Sequence, residues 1–546
     1  MQKNNCIEKQ NNGDEKTVPA FAAQFSKTLE HSFQNGLLTP QGQTSYSQLV
    51  KAMSNGEQSD FNAIVRANGA TIKLVGLAFS LQGADSSLFE MPLFPLINSP
   101  KAAALLLENY LMQLSRDVLF SEYGTGLGTD SNGAGGSLTN DAAMVLQDLG
   151  NAYTGPRNSS GIVDASVVFK GNFYGSLIGP SISQFLFQPI KTVGAPSFDA
   201  IIFTKSIQSY PIASNREFGV SFNDFVTIEN GRIPKPYSPE DFNGKRFIVT
   251  GRDLASFAHF DTPYEAYYNA VAILACNNFP FSRYLPYRNG TITNEAPFVT
   301  MGLGDVVAMV GDVTVEAFRA AWAQKWRAHR TLRPEAFAGL VQKAKVTGQN
   351  PFNLNQSLFE THSSINVLEL IKAKNTLQAG FHANMLSALE ASTYLLSQVY
   401  PEGSPAHPSY PSGHATIAGA CITVIKAMFE GSTLIKDFVT PVIPNPADPT
   451  QLTPLVGDDE NILTVASELD KLAFNIADGR NWSGVHYRAD GLQGILLGEN
   501  VAIEYLREQA CKYTEQTFNG FVLTKIDGTP ILITAHGVTA LTKILS

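Results

Sequence analysis

Apolar side chains return three or four positions apart over much of this chain, a helical spacing. They predict helices over residues 101–116, 141–152, 263–277, 315–331, 378–400, 414–430, 461–477 and 488–508. In the segment ending at Tyr400, the positions Leu386, Leu389, Thr393 and Leu396 form one stripe, which Pro401 and Gly403 close. Between the periodic segments lie two long stretches without clear pattern, residues 122–140 and 153–263, rich in Gly, Pro and small polar residues. Near the C-terminus, alternating residues 521–524 and 531–534 flank Asp527-Gly528, the pattern of a β-hairpin with a tight turn. The expected fold is all-α, with long irregular loops and this one small hairpin.

The first 18 residues are polar and expected to be a disordered tail. The remainder divides into a loop-rich helical region, 19–299, and a helical bundle, 300–546, read as one integrated unit. At 546 residues, burial of a large core is not limiting. Only 16% of residues are charged, which points to a large core, subunit contacts or both. The formal net charge of −9 disfavours nucleic acid and anionic membranes as partners, since both require a broad basic face. The N-terminus lacks the apolar core of a secretory signal, and no apolar run reaches the length of a membrane span. The chain therefore reads as soluble and, by default, cytoplasmic. Cys6, Cys276, Cys421 and Cys511 are far apart, without metal or disulfide spacing, and read as free thiols.

Against this acidic background, Lys325, Arg327, His329, Arg330 and Arg333 crowd into residues 325–334, KWRAHRTLRP. Lys325 is expected on the last turns of a helix and Arg333 just beyond it, because Pro334 biases the residue before it away from helical backbone. A second block, Pro411-Ser412-Gly413-His414, opens a helix whose N–H groups, with the Ser412 hydroxyl and the close approach that Gly413 allows, can bind an anion. His414, in the first turn, feels the positive helix end, which favours its neutral form. The third block, residues 480–490, places Arg480 in a loop and sets His486 four residues before Asp490. Asp490 can then hold one ring nitrogen of His486 and aim the other outward as ligand or nucleophile. Each block alone also has an ordinary structural reading: a solvated basic helix face, a Ser N-cap, an i, i+4 helix contact. Together they describe a pocket for a highly charged tetrahedral oxyanion.

The three blocks in this order resemble the vanadium-dependent haloperoxidases, of the superfamily that includes type-2 phosphatidic acid phosphatases and bacterial acid phosphatases. The seven residues between Lys325 and Arg333 are similar to the red-algal and cyanobacterial bromoperoxidases, where phosphatases and fungal chloroperoxidases have six. The resemblance implies a helical-bundle fold of that family and a vanadate cofactor. It implies His486 as the vanadium ligand, and Lys325, Arg333, Arg480, Ser412 and the Gly413 N–H around the other oxygens. His414 would be the acid/base toward hydrogen peroxide, and Lys325 would polarise the oxidant. The implied reaction oxidises bromide or iodide to hypohalous acid equivalents that halogenate small organic nucleophiles. His407 matches a histidine of bromoperoxidases, whereas Trp322 matches a tryptophan of chloroperoxidases, so halide selectivity and assistance to catalysis rest on these two positions. Glycine at 479, where the family often has serine, is a departure. Calcium sites of some relatives find no matching ligands here. Relatives assemble as dimers or dodecamers. An acid phosphatase with His486 as nucleophile in the same pocket is the alternative reading.

Overall fold

Short hydroxyl side chains start many of the helices, each accepting a hydrogen bond from a backbone N–H of the first turn. Thr39 caps α1 (Pro40–Asn55) and Ser99 caps α2 (Pro100–Ser115). After α3 (Ser137–Asp148), Ser221 caps α4 (Phe222–Glu229) and Thr250 caps α5 (Gly251–Phe260). Next come α6 (Glu265–Cys276), α7 (Leu303–Ala323), α8 (Pro334–Thr347) and α9 (Val367–Phe381). Ser412 and Thr464 cap α10 (Gly413–Met428) and α11 (Val465–Trp482), and α12 (Arg488–Gln509) follows. The computed structural model describes residues 11–14, 19–72, 82–124, 137–190, 211–288, 290, 292–381 and 386–542.

At the centre α10 lies against α12, flanked by α7 and α11, with α5 along the other side of α11. Glycine makes the central crossing possible. A Cβ on Gly419 would stand 2.0 Å from the Ile495 carbonyl oxygen, and one on Gly498 1.9 Å from that of Thr416. The two backbones therefore touch directly, and the Ser412 turn is carried onto the start of α12, where Ser412 N–H donates to the Asp490 carbonyl at 3.0 Å. One apolar cluster runs from Ala22 to Ile533 and takes residues from both sides of residue 300. Hydrophobic burial is the main stabilising term of such a core. The strands are peripheral. β1 (Val442–Asn445) pairs antiparallel with β2 (Asp448–Pro454), while β3 (Phe521–Thr524), β4 (Pro530–Thr534) and β5 (Gly537–Ala540) form an antiparallel meander.

The expected all-α fold with a C-terminal hairpin is what the chain adopts, with β5 extending that hairpin and β1–β2 adding a second. Several boundaries differ. The helix expected over 378–400 is not there: α9 ends at Phe381, a single turn spans Ala388–Ala391, and the chain runs on without helix to Tyr400. Leu389, expected on a buried stripe, is 85% exposed, while Thr393 and Leu396 are buried by the non-helical segment. The unpatterned stretch 153–263 contains α4 and α5, short helices capped by single hydroxyls. The helix expected to start at 315 begins a full three turns earlier, at Leu303. Most of the expected N-terminal tail, and 125–136 of the loop 122–140, lie outside the described residues, but Asn11–Asp14 pack inward. There the Asp14 carboxylate accepts from Ile97 N–H at 3.1 and 3.2 Å. Cys276, Cys421 and Cys511 are free thiols; Cys6 lies outside the described residues. No helix among the described residues is long and apolar enough to cross a membrane.

Candidate functional site

Lys325 and Arg333 reach the pocket through a change of helix type. After Ala323 the chain makes a wide π-helical turn, Gln324–His329, and leaves it at Arg330 in left-handed conformation, φ 46°. A π turn inserts a residue into the helical ladder and re-aims the side chains on it. Pro334 then occupies the first position of α8, and Arg333 is its N-cap residue in extended conformation, as the proline rule predicted. The rest of the basic cluster goes elsewhere. Arg330 donates to Gln24 and to the Trp326 carbonyl, and the His329 ring lies 4.7 Å from Tyr410.

Lys325 is fully buried, and its Nζ donates to the carbonyls of Pro408 and Ser409 at 2.6 and 2.7 Å. Arg333 is 1% exposed and donates to the His407 and Val485 carbonyls, at 3.0 and 2.7 Å. Its Nη1 also lies 3.0 Å from His486 Nε2, and its Nη2 3.0 Å from His407 Nδ1. Arg480 donates from Nη1 to the Ala258 carbonyl at 3.2 Å, and its buried Nε has no protein partner. All three cations are thus bonded to carbonyls, histidines and aromatic rings, and none makes an ion pair with a carboxylate among the described residues. Burial, then the charge of Arg333, holds Lys325 well below the ordinary lysine range; burial pushes Arg333 down to about 10. Such a cluster is poised for an anion, which would restore the charges that burial disfavours.

His486 precedes α12, and its Nδ1 lies 2.7 Å from the Asp490 carboxylate, which also accepts from Tyr487 N–H at 3.1 Å. With Nδ1–H donated to Asp490, the Nε2 lone pair faces the cations, the tautomer expected from the i, i+4 spacing. Burial first, then Arg333 and Lys325, hold His486 well below the ordinary histidine range, so the ring is neutral. Ser409, which the sequence reading missed, donates its hydroxyl to the same Asp490 carboxylate. Its place inside HPSYPSGH was the available signal.

Two expected placements need correction. Arg480 stands in the last turn of α11 and not in a loop, because the helix extends five residues past Ala477 to Trp482. Gly479 there meets α5 so closely that a Cβ would stand 2.9 Å from the Leu254 carbonyl oxygen, which accounts for glycine at that position. His414 is lowered below its ordinary range by burial first and the Arg480 charge second, a different cause from the helix end invoked above. Asp261, 3.4 Å from His414 Nε2, opposes that shift. It lies 153 positions before His414, beyond any local sequence signal.

Ser412 is buried, and its hydroxyl accepts from Ala415 N–H at 3.4 Å. Trp322 covers the turn: a Cβ on Gly413 would stand 3.2 Å from its ring. The same indole packs on His407 with ring centres 4.7 Å apart, and Lys325 Nζ lies 5.9 Å from its centre. The structure therefore brings every sequence-expected site residue to one place: Lys325, Arg333, Ser412, Gly413, His414, Arg480, His486 and Asp490, with Trp322 and His407 forming one wall.

Comparison with known proteins places similarity along most of the chain. The VCPO second helical-bundle domain matches residues 374–515. The vanadium-dependent bromoperoxidase of Corallina officinalis is 33% identical, over 96% of this chain and 92% of its own. That of Ascophyllum nodosum is 32% identical, over 91% of this chain and 84% of its own. A solved homohexameric structure of the second vanadate-dependent bromoperoxidase from Ascophyllum nodosum superposes with a TM-score of 0.81 at 28% identity, covering 97% of this chain and 87% of that one. The chain belongs to the vanadium-dependent bromoperoxidase family.

Proposed function

We propose that this protein is a vanadate-dependent haloperoxidase that oxidises bromide, and iodide, with hydrogen peroxide. The observation that carries the reading is the gathering of three buried cations, none in an ion pair with a carboxylate among the described residues, around a neutral histidine whose Nε2 faces Arg333. The partnerless Nε of Arg480 and the N–H groups of the Ser412-Gly413 helix start supply further donors of the kind an oxyanion needs. These residues fit vanadate. His486 Nε2 would hold the vanadium, and Lys325, Arg333, Arg480, the Ser412 hydroxyl and the Gly413 N–H would hold its oxygens. Bound vanadate supplies a Lewis acid that activates peroxide without changing its own oxidation state. In the net reaction bromide, hydrogen peroxide and one proton give hypobromous acid and water, and the acid or its equivalent halogenates small organic nucleophiles.

The side chains divide the remaining work. Asp490, fixed by Ser409, keeps the proton of His486 on Nδ1 and so keeps Nε2 available. Lys325 presents a desolvated charge, whose attraction for developing negative charge is stronger than in water. His414 is held neutral and can take a proton from peroxide and return it later, with Asp261 orienting its ring. Trp322 and His407 close the pocket beside Lys325, and the ionisable His407 is the feature that favours bromide over chloride. Self-association fits the exposed apolar run of Phe298, 84% exposed, and Val299, 78% exposed.

The test is reconstitution of purified protein with orthovanadate, followed by bromination of a phenol-type indicator with peroxide. Activity should require both vanadate and bromide and vanish in His486→Ala. Metal-free protein that hydrolyses a phosphomonoester faster than the vanadate-loaded protein oxidises bromide would establish the phosphatase instead.

A further inference from the structure

Within the protein, Arg480 is placed by an aromatic ring and a helix end. Its guanidinium lies over Tyr400, 5.5 Å from the ring centre, and its Nη1 donates to the carbonyl of Ala258 in the last turn of α5. The middle of α5 also fixes the tyrosine, whose hydroxyl donates to the Ala255 carbonyl at 2.7 Å and meets the Ser483 hydroxyl. The imidazole of His259, next along α5, stacks on Tyr400 with centres 3.7 Å apart and planes 17° from parallel. Its Nε2 lies 3.0 Å from Glu402 Oε1. Glu402 is held in turn by Lys27, which donates to its backbone carbonyl at 3.0 Å. Two residues past His259, Asp261 reaches His414.

We propose that His259 is a positioning residue for Arg480: stacked on Tyr400 and tied to Glu402, it holds the ring against which the guanidinium rests, and so sets where that guanidinium meets the bound oxyanion. The proposal rests on the vanadate reading given above. A short arginine contact across a ring is soft unless the ring itself is clamped, and Tyr400 follows a segment with no helix to hold it. His259 and the two tyrosine hydroxyl contacts supply that clamp. His259 is a rim residue, 19% exposed in its side chain, and Glu402 is 36% exposed, so the pair can be altered without opening the core. The charged and titratable groups around the imidazole are Glu402, Lys27 behind it, Tyr400 and Arg480 across the ring, and Asp261 with His414 beyond the end of α5. His259 carries charge of the same sign as Arg480 when protonated, and that charge presses on His414.

Equilibrium dialysis of orthovanadate against the full chain tests this directly, with bromination kinetics on the same samples. His259→Ala removes the stack and should weaken vanadate retention roughly three- to tenfold, the worth of a displaced cation–π contact. His259→Phe keeps the stack without the charge and should restore wild-type retention. Unchanged retention in His259→Ala, or a phenylalanine variant that binds as weakly as the alanine variant, overturns the inference. Wild-type protein that retains no vanadate overturns the vanadate reading and this inference with it.

Discussion

Arg480 and His414 divide binding from proton transfer, and single substitutions should separate the two. Arg480→Ala removes one of three buried cations and should weaken vanadate binding by about 10- to 100-fold, read by equilibrium dialysis. Unchanged affinity would remove Arg480 from the set of donors. His414→Ala should keep vanadate and lose turnover by about 10²- to 10⁴-fold, the usual contribution of a positioned acid or base. The pH profile follows from the direction of the His414 shift. Its proton affinity is lowered by burial and by Arg480, so the neutral, proton-accepting ring persists below the ordinary histidine range. Activity should therefore fail as pH drops through that lowered value. Asp261 raises the affinity, so Asp261→Asn should move the acid limb to still lower pH, and a shift the other way would contradict the pairing.

Among the elements, the crossing of α10 and α12 is the contact on which the site depends, since it carries Ser412 onto Asp490. Gly498→Ala would drive a methyl group against the Thr416 carbonyl, 1.9 Å away, and should cost about 1–3 kcal/mol in urea unfolding. Wild-type stability in that variant would mean that the helices separate freely. Element boundaries also explain what could be read in advance. The helices that became α2 and α10 were legible because an apolar stripe and a hydroxyl cap coincide in each, and α6 and α12 by their apolar periodicity. Residues 386–396 carry a similar stripe, yet beyond the single turn Ala388–Ala391 they bury Thr393 and Leu396 without helix, because Asn375 and Gln113 satisfy the Thr393, Leu395 and Ser397 backbone from outside. The oxyanion residues were legible because each lies at a helix boundary within a short motif. Asp261, His259 and Tyr400 were not, because only tertiary contact brings them to Arg480 and His414.

Taken whole, the molecule stores unfavourable charge in its centre, and ligand binding should release it. Lys325 and Arg333 are both lowered by burial in the pocket, so orthovanadate should raise the melting temperature. An anion at a hundredfold excess over its dissociation constant contributes about 2.7 kcal/mol of stability. Acid stability has a separate source. His31, 6% exposed, is held down to about 4 by burial, against an ordinary 6.5. The unfolded chain thus binds a proton there first, and stability is lost as pH falls from about 6.5 to about 4. The full loss is on the order of 3 kcal/mol. His31→Asn should flatten that part of the stability curve in urea titrations, and an unchanged slope would place the acid sensitivity elsewhere.

Titration of metal-free protein with orthovanadate, read as bromide-dependent bromination in the presence of peroxide, decides the matter most economically. The expected result is activity that rises to saturation at one vanadate per chain, falls when phosphate competes, and is absent from His486→Ala. Full vanadate occupancy without bromination would contradict it.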